Sequence, residues 1–214
     1  MRSAVIFDCD GVLFDSWKAN IAYYDAIRAA LGLAPMDAEW QRQAHFLAAS
    51  QLLDAMFVAD PALLTAAREA ARAIDYGPFY ELMAPAPGLF ELLSELKTAH
   101  RLGMATNRST TVAGVMTRFG LGRWLDAAIG LLDVAHPKPA PDVIVACLER
   151  LDVSPAAALY VGDAESDLHA ARAAGVHFVA VGSPAWSPVA VPVLSSLPAY
   201  VRTLTLGTSP VDPR

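Results

Sequence analysis

The sequence predicts an α/β protein, a three-layer α/β/α core around a parallel sheet with an α-helical lobe inserted near its start. Three observations carry that expectation. Short, wholly apolar runs recur along the 214 residues, and each ends abruptly in small or polar residues. Most of the stretches between them repeat apolar residues at helical spacing. After the first run, however, no second one appears until Leu102, and residues 16–85 read as helix throughout.

The first run is Ala4–Phe7, which leads directly into the acidic turn of AVIFDCDGVLFDS. In the lobe, Ile21, Tyr24, Ile27 and Leu31 form one helical stripe that stops at Gly32. Leu47, Leu52, Leu53 and Met56 mark a second helix. Asp60-Pro61 announces a third, with Asp as N-cap and Pro at the first helical position before Leu63, Leu64 and Ala67. The stretch APAPG, Ala84 to Gly88, reads as the return hinge. The expected division is therefore 1–15 with 86–214 for the core and 16–85 for the lobe.

Beyond the hinge, Leu89, Leu92, Leu93 and Leu96 share a helical face, followed by the strand run Leu102–Ala105. Val112, Val115, Met116 and Phe119 repeat the helical pattern before the run Ala127–Gly130. Val143, Ile144, Cys147, Leu148 and Leu151 do so again ahead of Ala158–Val161, and Phe178–Val181 closes the series. Strands alternating with helices imply right-handed crossovers and a parallel sheet covered on both faces. The tail keeps a weak apolar set at Val191, Leu194, Leu197 and Val201, compatible with a terminal helix or an irregular strap.

Composition narrows the function classes. A net charge of -6 argues against a nucleic-acid or anionic-membrane surface. Cys9 and Cys147 are the only cysteines, one in the acidic turn and one in a helical run, and read as reduced thiols. No targeting segment or membrane span is visible, so a cytoplasmic protein is expected, monomeric or homodimeric.

The polar residues that follow the apolar runs carry the chemistry. In an open parallel sheet, ligands bind where loops leave the carboxyl ends of the strands. Asp8 and Asp10 follow the first run, and Thr106, Asn107 and Arg108 the second. Lys138 follows the third within HPKPAPD, and Asp163 and Asp167 follow the fourth within VGDAESD. Carboxylates gathered so densely suit a hard divalent cation, and Mg²⁺ held by a few of them with a substrate phosphate fits. Gly11 lets the backbone approach a ligand closely, and Lys138 adds a fixed positive charge. Beside a cation, Asp8 stays ionised and is able to attack phosphorus, while Asp10 serves as proton donor and acceptor.

At this point the chain is identified as resembling the haloacid dehalogenase-like hydrolase superfamily over nearly its whole length. The resemblance rests on DCDGV (Asp8–Val12), Thr106 in MATNRS, Lys138 in KPAPD and GDAESD (Gly162–Asp167), in that order. It implies a Rossmann-like core with sheet order 5-4-1-2-3 and a helical cap of the phosphoglycolate phosphatase-like kind at residues 16–85. It also implies roles. Asp8 is then nucleophile and Mg²⁺ ligand, and Asp10 is acid/base and a ligand through its carbonyl. Thr106, the Asn107 amide and Gly11 hold the phosphoryl group, and Lys138 bridges it to the nucleophile. Asp163 ligates Mg²⁺, with Asp167 supporting the metal's waters.

Within that superfamily, Asp10 favours phosphoryl transfer over dehalogenation, whose carboxylate ester needs no leaving-group acid. Lys18 is the lobe's only lysine and sits at its edge, which disfavours an imine-forming phosphonatase and lowers a β-phosphoglucomutase-type reading. The expected function is a phosphatase acting on a small phosphorylated substrate. A mutase, a pyrophosphatase and a non-catalytic regulatory or scaffolding relative are the alternatives. Arg108 is expected to meet an acidic substrate or a neighbouring acid, and Gln41 with His45 to share a helix face.

Overall fold

Parallel strands buried on both faces are near-continuous apolar runs, and each run of this chain forms one. The computed structural model describes residues 3–44, 49–182 and 184–204. Its main sheet contains β1 (Ser3–Phe7), β2 (His100–Ala105), β3 (Ala127–Ile129), β4 (Ala158–Gly162), β5 (His177–Val181) and β6 (Ala190–Val191). All neighbours are parallel, in the order β3-β2-β1-β4-β5-β6. The first five strands thus follow the expected 5-4-1-2-3 order, read from the opposite edge. The sixth was not anticipated. Two residues are too few to show a period, and their place is set by pairing with Ala180 and Val181.

The chain forms two compact units, Met1–Phe14 with Pro85–Arg214 and Asp15–Ala84. A two-stranded ribbon of Phe14–Asp15 and Ala84–Pro85 marks the crossing points.

The helical unit holds α1 (Trp17–Ala30), α2 (Ala38–Gln43), α3 (Ala49–Met56), α4 (Pro61–Ala73) and α5 (Gly77–Tyr80). Tyr24, Ile27, Met36, Leu52, Leu53, Phe57 and Ala67 make its own core. The Asp60 carboxylate accepts from Ala62 and Leu63 N–H, the N-cap read from the sequence. Asp37 caps α2 in the same way, separating a short helix that periodicity had not resolved. Gln41 donates to the Met36 carbonyl; its expected partner His45, like Leu47, lies outside the described residues.

In the sheet-bearing unit, α6 (Leu89–Lys97) packs on β2, and α7 (Val112–Arg118) leads to β3. The helices α8 (Asp142–Leu151) and α9 (Glu165–Ala173) bury Val143, Ile144, Cys147, Ala170 and Ala171 against Ala4, Ile6, Ala158 and Tyr160 of the sheet. Each fully buried large aliphatic side chain in such a layer contributes on the order of 1.5–3 kcal/mol relative to exposure. The tail resolves into β6 and α10 (Leu197–Thr203), which buries Leu197 and Val201 and packs on α6. Among the described residues, no helix is long and apolar enough to cross a membrane.

Because β1 to β4 run the same way, the residues that follow them emerge along one edge. That edge carries every residue singled out from the motifs.

Candidate active site

Asp8 leaves β1, and its main-chain N–H still bonds to Val161 of β4 at 2.9 Å, so the sheet itself fixes its position. Its carboxylate Oδ1 accepts from the Lys138 ammonium at 2.9 Å and from the Cys9 N–H at 2.7 Å. Lys138 also donates to Asp167 Oδ1 at 2.6 Å. Asp8, Asp163 and Asp167 each bring one carboxylate oxygen within 4.8 Å of the others. Three acids from the β1 exit, the β4 exit and α9 therefore cluster together, and one lysine bonds two of them.

The loop after β4 brings its two acids in by different means. Asp163 stands against the backbone of Gly11, where a β-carbon would lie 1.9 Å from Asp163 Oδ2. Gly11 also has φ +73°, a conformation in which a side chain is strained. Asp167 folds back over the start of α9, its Oδ2 accepting from the Asp163 and Ala164 N–H groups, both at 3.1 Å. Gly162 leaves room for this, since a β-carbon there would meet the Asp167 side chain at 2.4 Å. Asp167 is thus wholly buried with both oxygens engaged, holding Lys138 and the turn, whereas Asp163 faces Asp8 across Gly11.

Two further residues hold Lys138. The Asn107 side-chain carbonyl accepts from the Lys138 N–H at 2.8 Å, and its NH₂ donates to the Lys138 carbonyl at 3.3 Å. The Asn107 side-chain amide is thus committed to the lysine's backbone. Tyr160 of β4 places its hydroxyl 3.1 Å from Lys138 Nζ and donates to the Ala105 carbonyl at 2.7 Å. Sequence reasoning passed over Tyr160. Its signal was a hydroxyl inside an apolar run, since a buried phenol must find a partner.

Thr106 continues β2, its N–H bonded to Ile129 of β3, and its hydroxyl accepts from the Arg108 N–H at 3.2 Å. Arg108 is buried and turns its guanidinium on Asp10, Nε to Oδ2 at 2.8 Å and Nη2 to Oδ1 at 2.6 Å. A neighbouring acid is one of the two partners expected for Arg108, and Asp10 is that acid. Two parallel N–H···O bonds hold the Asp10 carboxylate in one plane.

The electrostatics favour a cation. Burial pushes the Asp8 carboxyl up to about 7, outweighing the opposing pull of Lys138, and Asp167 and Asp10 add to the rise. Asp163 is pushed up to about 8 by burial and then by Asp8 and Asp167. Burial alone would lower the Lys138 ammonium, but Asp167 and Asp8 hold it above the ordinary lysine range. One ammonium thus serves a cluster of three carboxyl groups, two of which it touches. An all-oxygen donor set of this kind fits a hard divalent cation. Cys9, between the acids, is fully buried, and burial raises its thiol far above the usual value, so it is an inert packing group. Both cysteines are free.

Fold and site together define an α/β enzyme whose polar groups converge on the carboxyl edge of a parallel sheet. The family model described as haloacid dehalogenase-like hydrolase matches residues 5–181, and the chain belongs to that family. Among curated relatives, pyrophosphatase PpaX of Bacillus velezensis is 34% identical over 127 residues, 58% of this chain and 57% of that protein. A phosphoglycolate phosphatase of Pseudomonas putida is 30% identical over 183 residues, 82% of this chain and 67% of that protein. Among solved structures, a hydrolase of the same superfamily from Geobacter sulfurreducens superimposes with a TM-score of 0.76 at 35% identity, covering 94% of this chain and 96% of its own. The family and fold expected from the four motifs are those found.

Proposed function

We propose that this chain is a Mg²⁺-dependent phosphatase that hydrolyses a small phosphomonoester through an aspartyl-phosphate on Asp8. The observation that supports it most is the placement of Asp8, paired with a buried lysine and set beside Asp163 where a cation fits. Phosphoglycolate-like and sugar-phosphate-like esters are the proposed substrate class, in keeping with the phosphoglycolate phosphatase among its relatives.

In this reading an Asp8 oxygen attacks phosphorus, and Asp10 gives a proton to the leaving oxygen. Asp10 then takes a proton from the water that hydrolyses the acyl-phosphate. Thr106, the main-chain N–H of Asn107 and Lys138 would hold the phosphoryl oxygens as preorganised donors, whereas the Gly11 N–H, also expected there, is bonded to the Phe14 carbonyl at 2.8 Å. Asp8, Asp163 and the Asp10 carbonyl would hold Mg²⁺, with Asp167 keeping the lysine and the turn in place. The ion would keep Asp8 and Asp163 ionised at neutral pH and offset charge on the phosphoryl group. The helical unit of residues 15–84 is the proposed source of substrate selectivity.

The test is Asp8→Asn assayed for release of inorganic phosphate from an aryl phosphate with Mg²⁺. Loss of turnover by at least about 10³-fold is expected for a covalent nucleophile. Turnover at the wild-type rate would refute the assignment. A parallel assay with pyrophosphate separates the pyrophosphatase reading, which the relative PpaX favours.

A further inference from the structure

We infer that Tyr160 is a positioning residue of this site, whose buried hydroxyl aims the Lys138 ammonium and ties it to the strand that carries the phosphate-binding turn. The inference rests on the phosphatase reading above, in which Lys138 meets the phosphoryl group.

The direction of each hydrogen bond follows from the chemistry of the partners. The Tyr160 oxygen lies 2.7 Å from the Ala105 carbonyl, 3.1 Å from Lys138 Nζ and 3.4 Å from Asp167 Oδ1. A carbonyl has no proton to give, and an ammonium has no lone pair to accept with. The phenolic proton therefore goes to Ala105, its nearest acceptor, and a lone pair faces Lys138.

The ammonium has three protons, and the site supplies three acceptors: Asp8 Oδ1 at 2.9 Å, Asp167 Oδ1 at 2.6 Å and the Tyr160 hydroxyl at 3.1 Å. Two of these acceptors carry charge and set how strongly the lysine is held. The third is neutral and the longest, so its effect is on direction.

Tyr160 also joins parts of the site that are distant in sequence. Its acceptor, Ala105, immediately precedes Thr106, while Asn107 grips the Lys138 main chain. The lysine is thus fastened at its backbone and at its ammonium to one short segment, residues 105–107. The ring alone would fill the space between α8, α9 and the sheet, where it stacks on Phe178. Burying a hydroxyl costs free energy unless it is bonded, and here all of its bonding is directed at the site.

Tyr160→Phe is compared with Phe178→Leu, which loosens the packing of the same ring and leaves the hydroxyl in place. The probe is inhibition by orthovanadate with Mg²⁺, alongside kcat and KM for an aryl phosphate, each normalised to folded protein. Tyr160→Phe is expected to weaken vanadate inhibition and lower kcat/KM by about tenfold or more, the loss of one oriented hydrogen bond. Phe178→Leu is expected to lower the melting temperature while the vanadate constant stays within about twofold of wild type, since the Tyr160 hydroxyl keeps its Lys138 and Ala105 partners. Should Tyr160→Phe not fold, 3-fluorotyrosine at position 160 keeps ring and hydroxyl but weakens the acceptor, and a weakened vanadate constant is again expected. Vanadate inhibition unchanged in either Tyr160 variant, or weakened as much in Phe178→Leu, overturns the inference. Wild-type protein that neither turns over aryl phosphate nor binds vanadate overturns the phosphatase reading and this inference with it. An active wild type with an unaffected Tyr160 variant overturns this inference alone.

Discussion

Arg108 grips the Asp10 carboxylate with two N–H···O bonds, Nε–Oδ2 at 2.8 Å and Nη2–Oδ1 at 2.6 Å. The pair links the turn after β1 to the turn after β2. It orients the proposed acid/base group before any substrate arrives. Removing the fork takes away two of the bonds that orient the carboxylate, a cost that falls on the step in which Asp10 moves a proton.

Arg108→Ala is therefore expected to lower kcat for an alkyl phosphate by about 10- to 100-fold, within the range general acid catalysis supplies. A nitrophenyl ester, whose leaving group departs without a proton, should lose much less. The paired variant with Asp10→Asn should cost little beyond Asp10→Asn alone, because the two residues act as one unit. Equal losses on both esters would refute a role through Asp10.

Stability should respond to pH in a direction set by Asp8 and Asp163. Their folded-state values, about 7 and about 8, lie above the ordinary 3.8 at which the unfolded chain releases these protons. Between those limits the folded protein binds more protons, so its stability falls as pH rises. The raised Lys138 value has no effect in this window, since that group is charged in both states throughout it. In EDTA the melting temperature should fall by about 3–10 °C between roughly pH 5.5 and 8.5. Added Mg²⁺ should restore it most at the alkaline end, where both ligands are ionised. A metal-free melting temperature that stays level or climbs over that interval would contradict the electrostatics of the cluster.

Gly11→Ala tests the placement of Asp163 beside Asp8. The added methyl meets Asp163 Oδ2 at 1.9 Å on a backbone with φ +73°. Asp163 has to withdraw from Asp8, so the Mg²⁺ concentration for half-maximal activity should rise by at least about tenfold, as displaced metal ligands generally cost. Circular dichroism should still report a folded α/β protein. An unaltered Mg²⁺ titration would remove Asp163 from the proposed ligand set.

The strands were readable because a parallel sheet buried on both faces demands unbroken apolar runs, and Ala4–Phe7, Leu102–Ala105 and Ala158–Val161 are such runs. The Asp60 cap and the lobe stripe through Tyr24 and Ile27 were readable for the same reason, as local patterns with local causes. The two-residue strand Ala190–Val191 was not, because it exists only through its pairing with β5. Side-chain partners were least readable of all. Asp10 and Arg108 are 98 positions apart, Asn107 and Lys138 are 31, and Tyr160 reaches Ala105 across 55.

What this sequence determined by itself was which chemical groups would stand at strand exits, since burial period and chain direction are local properties of the residues. Only the tertiary structure decided how those groups are divided among tasks: Asp167 to the lysine and the α9 turn, Asp10 to Arg108, Asn107 to a backbone, Tyr160 to an ammonium. The physical reason is that a hydrogen bond is decided within about 3 Å in space. Sequence spacing carries no information about which of several suitable partners the folded chain brings that close.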